Sequence, residues 1–189
     1  MKIVSTFGGE NSKLWTVCYN EDRGQNGRKK DIFSEVFRKW NNEEYLARFF
    51  KENESDLKDP FWEGMTIHEA KTQVFDEALD FEIELRNIEL RKPGYEECSL
   101  QDIFHQLHLH EFSLKPQFSR FRKGKPNFPN AMLRLYGIEL EDGCLIITGG
   151  AIKLTARMDR PHLERENRKL MQVQDFLKEE GIYSKKELL

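Results

Sequence analysis

The chain has 189 residues, 33% of them charged and 38% apolar, with a net charge of −3, which suits one ordinary domain or a small domain with a helical annex. Fourteen Phe, five Tyr and three Trp argue against wholesale disorder, and no apolar run approaches the roughly 20 residues that span a bilayer. The opening MKIVSTFGGENSKLW has no apolar signal stretch, and Cys18, Cys98 and Cys144 form neither a disulfide framework nor a CxxC knuckle, so a reducing, cytoplasmic setting is expected.

The net charge hides a split. Residues 112–189 carry 15 Lys and Arg against 10 Asp and Glu, a net of +5, which leaves −8 on residues 1–111. A basic C-terminal part is suited to a polyanion, although Glu-rich helices alone would produce the same imbalance.

In chain order, residues 14–19 (LWTVCY) predict a strand, and residues 20–30 a loop with two glycines. Asp31 can cap a short helix carrying Ile32, Phe33, Val36 and Trp40. Asn41 can cap the next, with Tyr45, Leu46, Phe49 and Phe50 along one side, before Asp59-Pro60 breaks the pattern. The clearest helix starts at the capping box Thr66-Ile67-His68-Glu69. Its apolar stripe runs Ile67, Ala70, Val74, Ala78, Phe81, Leu85 and Ile88, until Lys92-Pro93-Gly94. Ser99-Leu100-Gln101-Asp102 opens a short helix with Leu100, Ile103, Phe104 and Leu107 on one side.

Past Phe112 the character changes. Residues 115–125 (KPQFSRFRKGK) hold five basic residues and two Phe without an acid. Residues 131–138 and 144–148 predict strands joined at Glu141-Asp142-Gly143, an Asp-Gly hairpin signal. Gly149-Gly150 marks a bulge or a close backbone approach, with residues 151–155 continuing the strand. A last helix runs from about Pro161, with Asp159 a candidate cap, to Gly181. It buries Leu163, Leu170, Val173 and Leu177 and presents Arg165, Arg168 and Lys169. The fold class expected is α+β: a small, mostly antiparallel sheet packed by helices, residues 1–111 mainly helical and residues 112–189 the basic sheet and C-terminal helix, in one domain.

Alternation along the strand puts Arg134 and Tyr136 on one face, and Lys153 shares a side with Thr155, with Arg157 just beyond. Arg offers a forked donor set for phosphate, Lys a point charge and Tyr a ring or hydroxyl, the types that metal-free RNA cleavage uses. Solvated charges on the outer face of a sheet would look the same. The run LRLYGIELEDGCLIITGGAIKLTARM, with the basic, Leu-spaced helix after it, resembles the C-terminal half of the RelE/ParE toxin superfamily, and most the phage-derived HigB-like branch. The resemblance covers residues 131–180 at most. It implies Arg134 and Lys153 as phosphate or transition-state contacts and Arg157 as a second cation. Tyr136 and His162 join them as candidates without a firm family counterpart. RNase members of that family cut mRNA on the ribosome and are neutralised by an antitoxin protein, and other members poison DNA gyrase. The chain departs from compact members in its greater length and its net negative charge.

Two further groups are candidates. Lys115, Phe118, Arg120, Phe121, Arg122, Lys123 and Lys125 suit a single-stranded nucleic acid, or else form a solvated loop pinned by its two Phe. Arg168 and Lys169 would extend that surface. His105, His108 and His110 with Glu111 contain ligand types for zinc or iron, but neither a helix nor a strand gathers all three histidines. No metal is assigned. Gly8-Gly9 and Gly149-Gly150 do not fit a phosphate loop, so no nucleotide cofactor is expected. The functional expectation is a toxin-type, metal-independent endoribonuclease acting on translated mRNA, with RNA, the ribosome and an antitoxin as partners and no membrane. The alternative is a non-catalytic toxin-fold protein that engages a partner through its acidic helices.

Overall fold

A computed structural model describes residues 1–8, 11–19, 31–107 and 120–189. Among them, two strands open the chain, β1 (Lys2–Ser5) and β2 (Leu14–Cys18). Helices α1 (Ile32–Trp40), α2 (Glu43–Glu52), the short α3 (Glu54–Leu57) and a 3-10 turn (Pro60–Trp62) lead into the long α4 (Ile67–Glu89). Helix α5 (Leu100–Ile103), then β3 (Phe104–Gln106), β4 (Phe121–Gly124), β5 (Leu133–Glu139), β6 (Leu145–Ile152), α6 (Pro161–Glu179) and a terminal 3-10 turn (Lys185–Leu188) complete it. The fold is α+β. Its six-stranded sheet has the order β1-β2-β6-β5-β4-β3, antiparallel everywhere except between β2 and β6.

Local chemistry sets the helix starts. The Asp31 side chain accepts from Ser34 N–H at 2.9 Å, and Thr66 with Glu69 closes a reciprocal capping box. The α1–α2 junction differs from the sequence expectation by one residue. Asn41 ends α1, donating from Nδ2 to the Phe37 carbonyl, and Asn42 caps α2 by accepting from Tyr45 N–H at 2.7 Å. At the other end, Arg160 rather than Asp159 takes the N-cap position of α6, without a side-chain cap bond.

Helices lie on both faces of β6, and its two glycines explain how. A methyl group on Gly150 would come within 2.7 Å of Val36 and 3.0 Å of Trp40 on α1. One on Gly149 would collide with the Glu166 carboxylate on α6. Successive residues of a strand point to opposite faces, so Gly149-Gly150 admits a helix on each side. Thr148 is the extra residue of a bulge between the Tyr136–Gly149 and Gly137–Ile147 pairs, and its hydroxyl donates to the Tyr136 carbonyl at 3.2 Å.

Long-range polar ties complete the frame. Glu77, buried on α4, accepts from the N–H groups of Met132 and Leu133 at 2.8–2.9 Å, and burial pushes its carboxyl above the usual range. Glu89 at the end of α4 accepts from Ser12 Oγ and Lys13 N–H at the entry to β2. One apolar cluster runs from Leu14 through Phe81 to Leu177, so residues 1–111 and 112–189 share a single core.

Several elements depart from the sequence pattern: β3 and β4 were not predicted as strands, and β6 ends at Ile152 instead of continuing through residue 155. β1 was not expected. The helix predicted from Ser99 stops at Ile103, where Phe104 enters β3 and lays its ring where a Gly124 side chain would stand, 2.5 Å from that Cβ position.

Candidate functional site

A cavity of about 780 Å3 opens where three stretches of chain meet. One wall is the start of β5 with the turn before it, Asn130, Ala131 and Arg134. The floor is the segment leaving β6, from Lys153 to Arg160. The far wall is the α3 end and the 3-10 turn, residues 55–62. Six cationic side chains (Lys58, Lys125, Arg134, Lys153, Arg157 and Arg160) face three carboxylates (Asp56, Asp59 and Asp159), a net of +3. The volume falls in the range of small-molecule sites.

Each cation is held differently. The Arg134 Nη1 donates to the carbonyls of Ala131 and Leu133 at 2.8 and 2.6 Å, which folds the guanidinium over its own turn. Lys153 is 8% exposed, and its Nζ donates to the Ala156 carbonyl at 2.7 Å. Arg157 is exposed. Arg160 makes a two-pronged pair with Asp56, both contacts at 2.8 Å. That pair ties the floor to the far wall across 104 residues and holds the Asp56 carboxyl below the usual range.

Arg134, Lys153, Arg157 and Lys125, selected from the sequence, thus line one cavity. Tyr136 does not. It occupies the same face of β5 as Arg134, as alternation requires, but that face is covered: Tyr136 is fully buried and its hydroxyl donates to Met158 Sδ at 3.4 Å. His162 is also elsewhere. It sits in a smaller cleft between α1 and α6, where its Nε2–H donates to the Ile152 carbonyl at 3.0 Å and its ring meets Phe49 edge-on. Burial there lowers the imidazole pKa. Neither residue belongs to the cavity.

The other basic candidates are dispersed. Arg120 pairs with Glu141 at 2.7 Å, and Arg122 pairs with Glu139. Lys123 lies on β4, and Phe121 is fully buried, so this ring anchors the strand to the core. Arg168 is exposed on α6 with Glu164 at 3.9 Å, and Lys169 pairs with Glu166 at 2.8 Å in the smaller cleft. Lys115 and Phe118 lie outside the described residues, as do His108, His110 and Glu111. His105 is exposed on β3, and among the described residues no group of three or more His, Cys, Asp or Glu could hold a metal ion.

The sequence did not point to the far wall. Asp59-Pro60 reads as a helix break and Phe61 and Trp62 were not singled out, yet this turn lines the cavity with the cations. The available signal was two adjacent aromatics directly after an Asp-Pro stop. No family model, curated protein or solved structure matches the chain. Among the described residues, no helix is long and apolar enough to cross a membrane.

Proposed function

We propose that this protein is a toxin-type endoribonuclease that grips RNA backbone phosphate in the cation-lined cavity and cuts translated mRNA without a metal ion. The observation that carries the reading is the meeting of Arg134, Lys153 and Arg157 in one cavity with net positive charge. Arginine forks and an ammonium in a partly enclosed site favour the extra negative charge of a five-coordinate phosphorus. In the reaction the ribose 2′-oxygen attacks the adjacent phosphorus and the bond to the 5′-oxygen breaks. The products are a 2′,3′-cyclic phosphate and a 5′-hydroxyl. The 2′-proton goes to a cavity carboxylate outside the two-pronged pair, Asp59 or Asp159, and the 5′-oxygen takes a proton from water. The ribosome and a neutralising antitoxin would be its partners.

A second reading, binding of RNA without cleavage, is favoured by one observation: the phenol of Tyr136 and the imidazole of His162 both lie outside the cavity. One experiment separates the two. Purified protein is incubated with mRNA, on and off ribosomes, and both ends of any product are mapped. Cleavage with cyclic-phosphate ends that falls about 100-fold in Arg157→Ala, with unchanged circular dichroism, is the expected result. Tight binding with intact RNA supports the second reading, and neither binding nor cleavage removes both.

A further inference from the structure

The cavity's far wall carries a feature that phosphate binding alone does not use. Phe61 is 56% exposed at the rim, while its neighbour Trp62 is buried. Single exposed aromatic rings are ordinary on protein surfaces, but this one stands on the same cavity lining as a set of cations.

The ring stands on a firmly fixed turn. Asp59 accepts from Phe61 N–H at 2.9 Å, and Trp62 N–H donates to the Asp59 carbonyl at 2.9 Å. Glu63, at φ 51°, and Gly64, at φ 78°, close the turn through two left-handed residues, of which Glu63 has the less favourable conformation. The Trp62 indole N–H then donates to the Leu154 carbonyl at 3.0 Å. Leu154 directly follows Lys153, so one hydrogen bond fixes the ring's turn to the segment that carries Lys153 and Arg157. Trp62 braces Phe61 at right angles, with ring centroids 4.8 Å apart.

We propose that Phe61 is a stacking platform for one unpaired base, placed beside the phosphate that Arg134, Lys153 and Arg157 hold, so that the cavity selects single-stranded over duplex RNA. The inference rests on the RNA-binding reading above. An aromatic ring beside a cationic groove is the usual combination for single strands, because every base has a π face to stack and duplex bases are already stacked. The turn is braced before RNA arrives, so little ordering cost remains at binding. Stacking of one base on one side chain is worth about 1–3 kcal/mol, which corresponds to a loss of about 5- to 150-fold on removal of the ring.

The test uses the full chain and a short single-stranded RNA carrying one 2-aminopurine, with affinity read by fluorescence anisotropy and stacking by quenching of 2-aminopurine. The expected result is binding with quenching by the wild type. Phe61→Ala should weaken binding at least 5-fold and lose the quenching, and Phe61→Trp should retain both. A duplex of the same sequence should bind at least 10-fold more weakly. If RNA binds but Phe61→Ala changes neither affinity nor quenching, or if the duplex binds equally well, the stacking role is overturned and the phosphate reading survives. If the wild type binds no RNA at 50 mM salt, both fall. Phe61 lies on the surface, and urea unfolding of each variant shows that the comparison is between folded proteins.

Discussion

Arg134 and Tyr136 leave the same strand on the same side and meet opposite surroundings. Arg134 is near the start of β5, where the sheet opens on the cavity, and two residues further on Met158 caps the tyrosine hydroxyl. Tyr136→Phe should therefore leave RNA binding unchanged and lower unfolding stability by about 1 kcal/mol, read in urea. Arg157 has the contrasting role, since it is exposed on the cavity floor. A second residue-scale prediction concerns Glu166, which is 6% exposed and has one carboxylate oxygen buried without a partner. Burial raises its pKa above the ordinary 4.5. Between 4.5 and the raised value the folded chain keeps a proton that the unfolded chain has released, so this group's contribution to stability falls as pH rises through that window. Glu166→Gln should remove that fall. Urea titrations at pH 5 and pH 8 should show the variant gaining on the wild type at the higher pH.

At the scale of elements, the caps at Asp31 and Thr66 were legible because each is a local contract between a side chain and a nearby N–H group, whereas those of α2 and α6 fell one residue from the expected Asn41 and Asp159. Gly149-Gly150 was legible as a special backbone site but not as the point where α1 and α6 press on opposite faces, because the α1 residues that crowd Gly150, Val36 and Trp40, lie more than a hundred positions away. Gly150→Ala should cost about 1–3 kcal/mol, because Val36, Trp40 and the Arg134 carbonyl all crowd the new methyl. Chemical denaturation gives that value directly. The helix after Ser99 was misjudged for a similar reason. Leu100, Ile103, Phe104 and Leu107 have helical spacing, yet the space left by Gly124 on the neighbouring strand draws Phe104 into the sheet. β1 escaped notice because four residues of edge strand, KIVS, carry too short a pattern to register.

Over the whole molecule, half of the cavity was visible beforehand and half was not. Arg134, Lys153 and Arg157 lie within 24 residues of one another, where strand alternation and a basic run can be read. Asp56, Asp59 and Phe61 come from a stretch about seventy to a hundred residues earlier, and only the folded chain joins them, through the Asp56–Arg160 pair and the Trp62–Leu154 hydrogen bond. The charge split has a measurable counterpart here. If Arg134, Lys153 and Arg157 each neutralise one phosphate of a single strand, the log of the RNA affinity should fall against the log of salt concentration with a slope of about −2. Arg157→Ala should reduce the slope by about 0.7. A slope near zero would show that the cavity is not the RNA site.

The pairing of β2 with β6 reaches from residues 14–16 to residues 145–147. A ribosome makes the N-terminal partner first, so for most of synthesis the apolar run LWTVC waits without the strand that later lies beside it. The sheet's centre can close only when residues 145–152 have emerged, and the cavity's floor, residues 153–160, follows directly. Contacts of such long sequence separation slow folding. They also mean that a chain released before about residue 160 lacks the cavity's floor and cannot bring Lys153 and Arg157 together with Arg134 and the Asp56–Phe61 wall, so the cavity is among the last features to be completed as the protein is made.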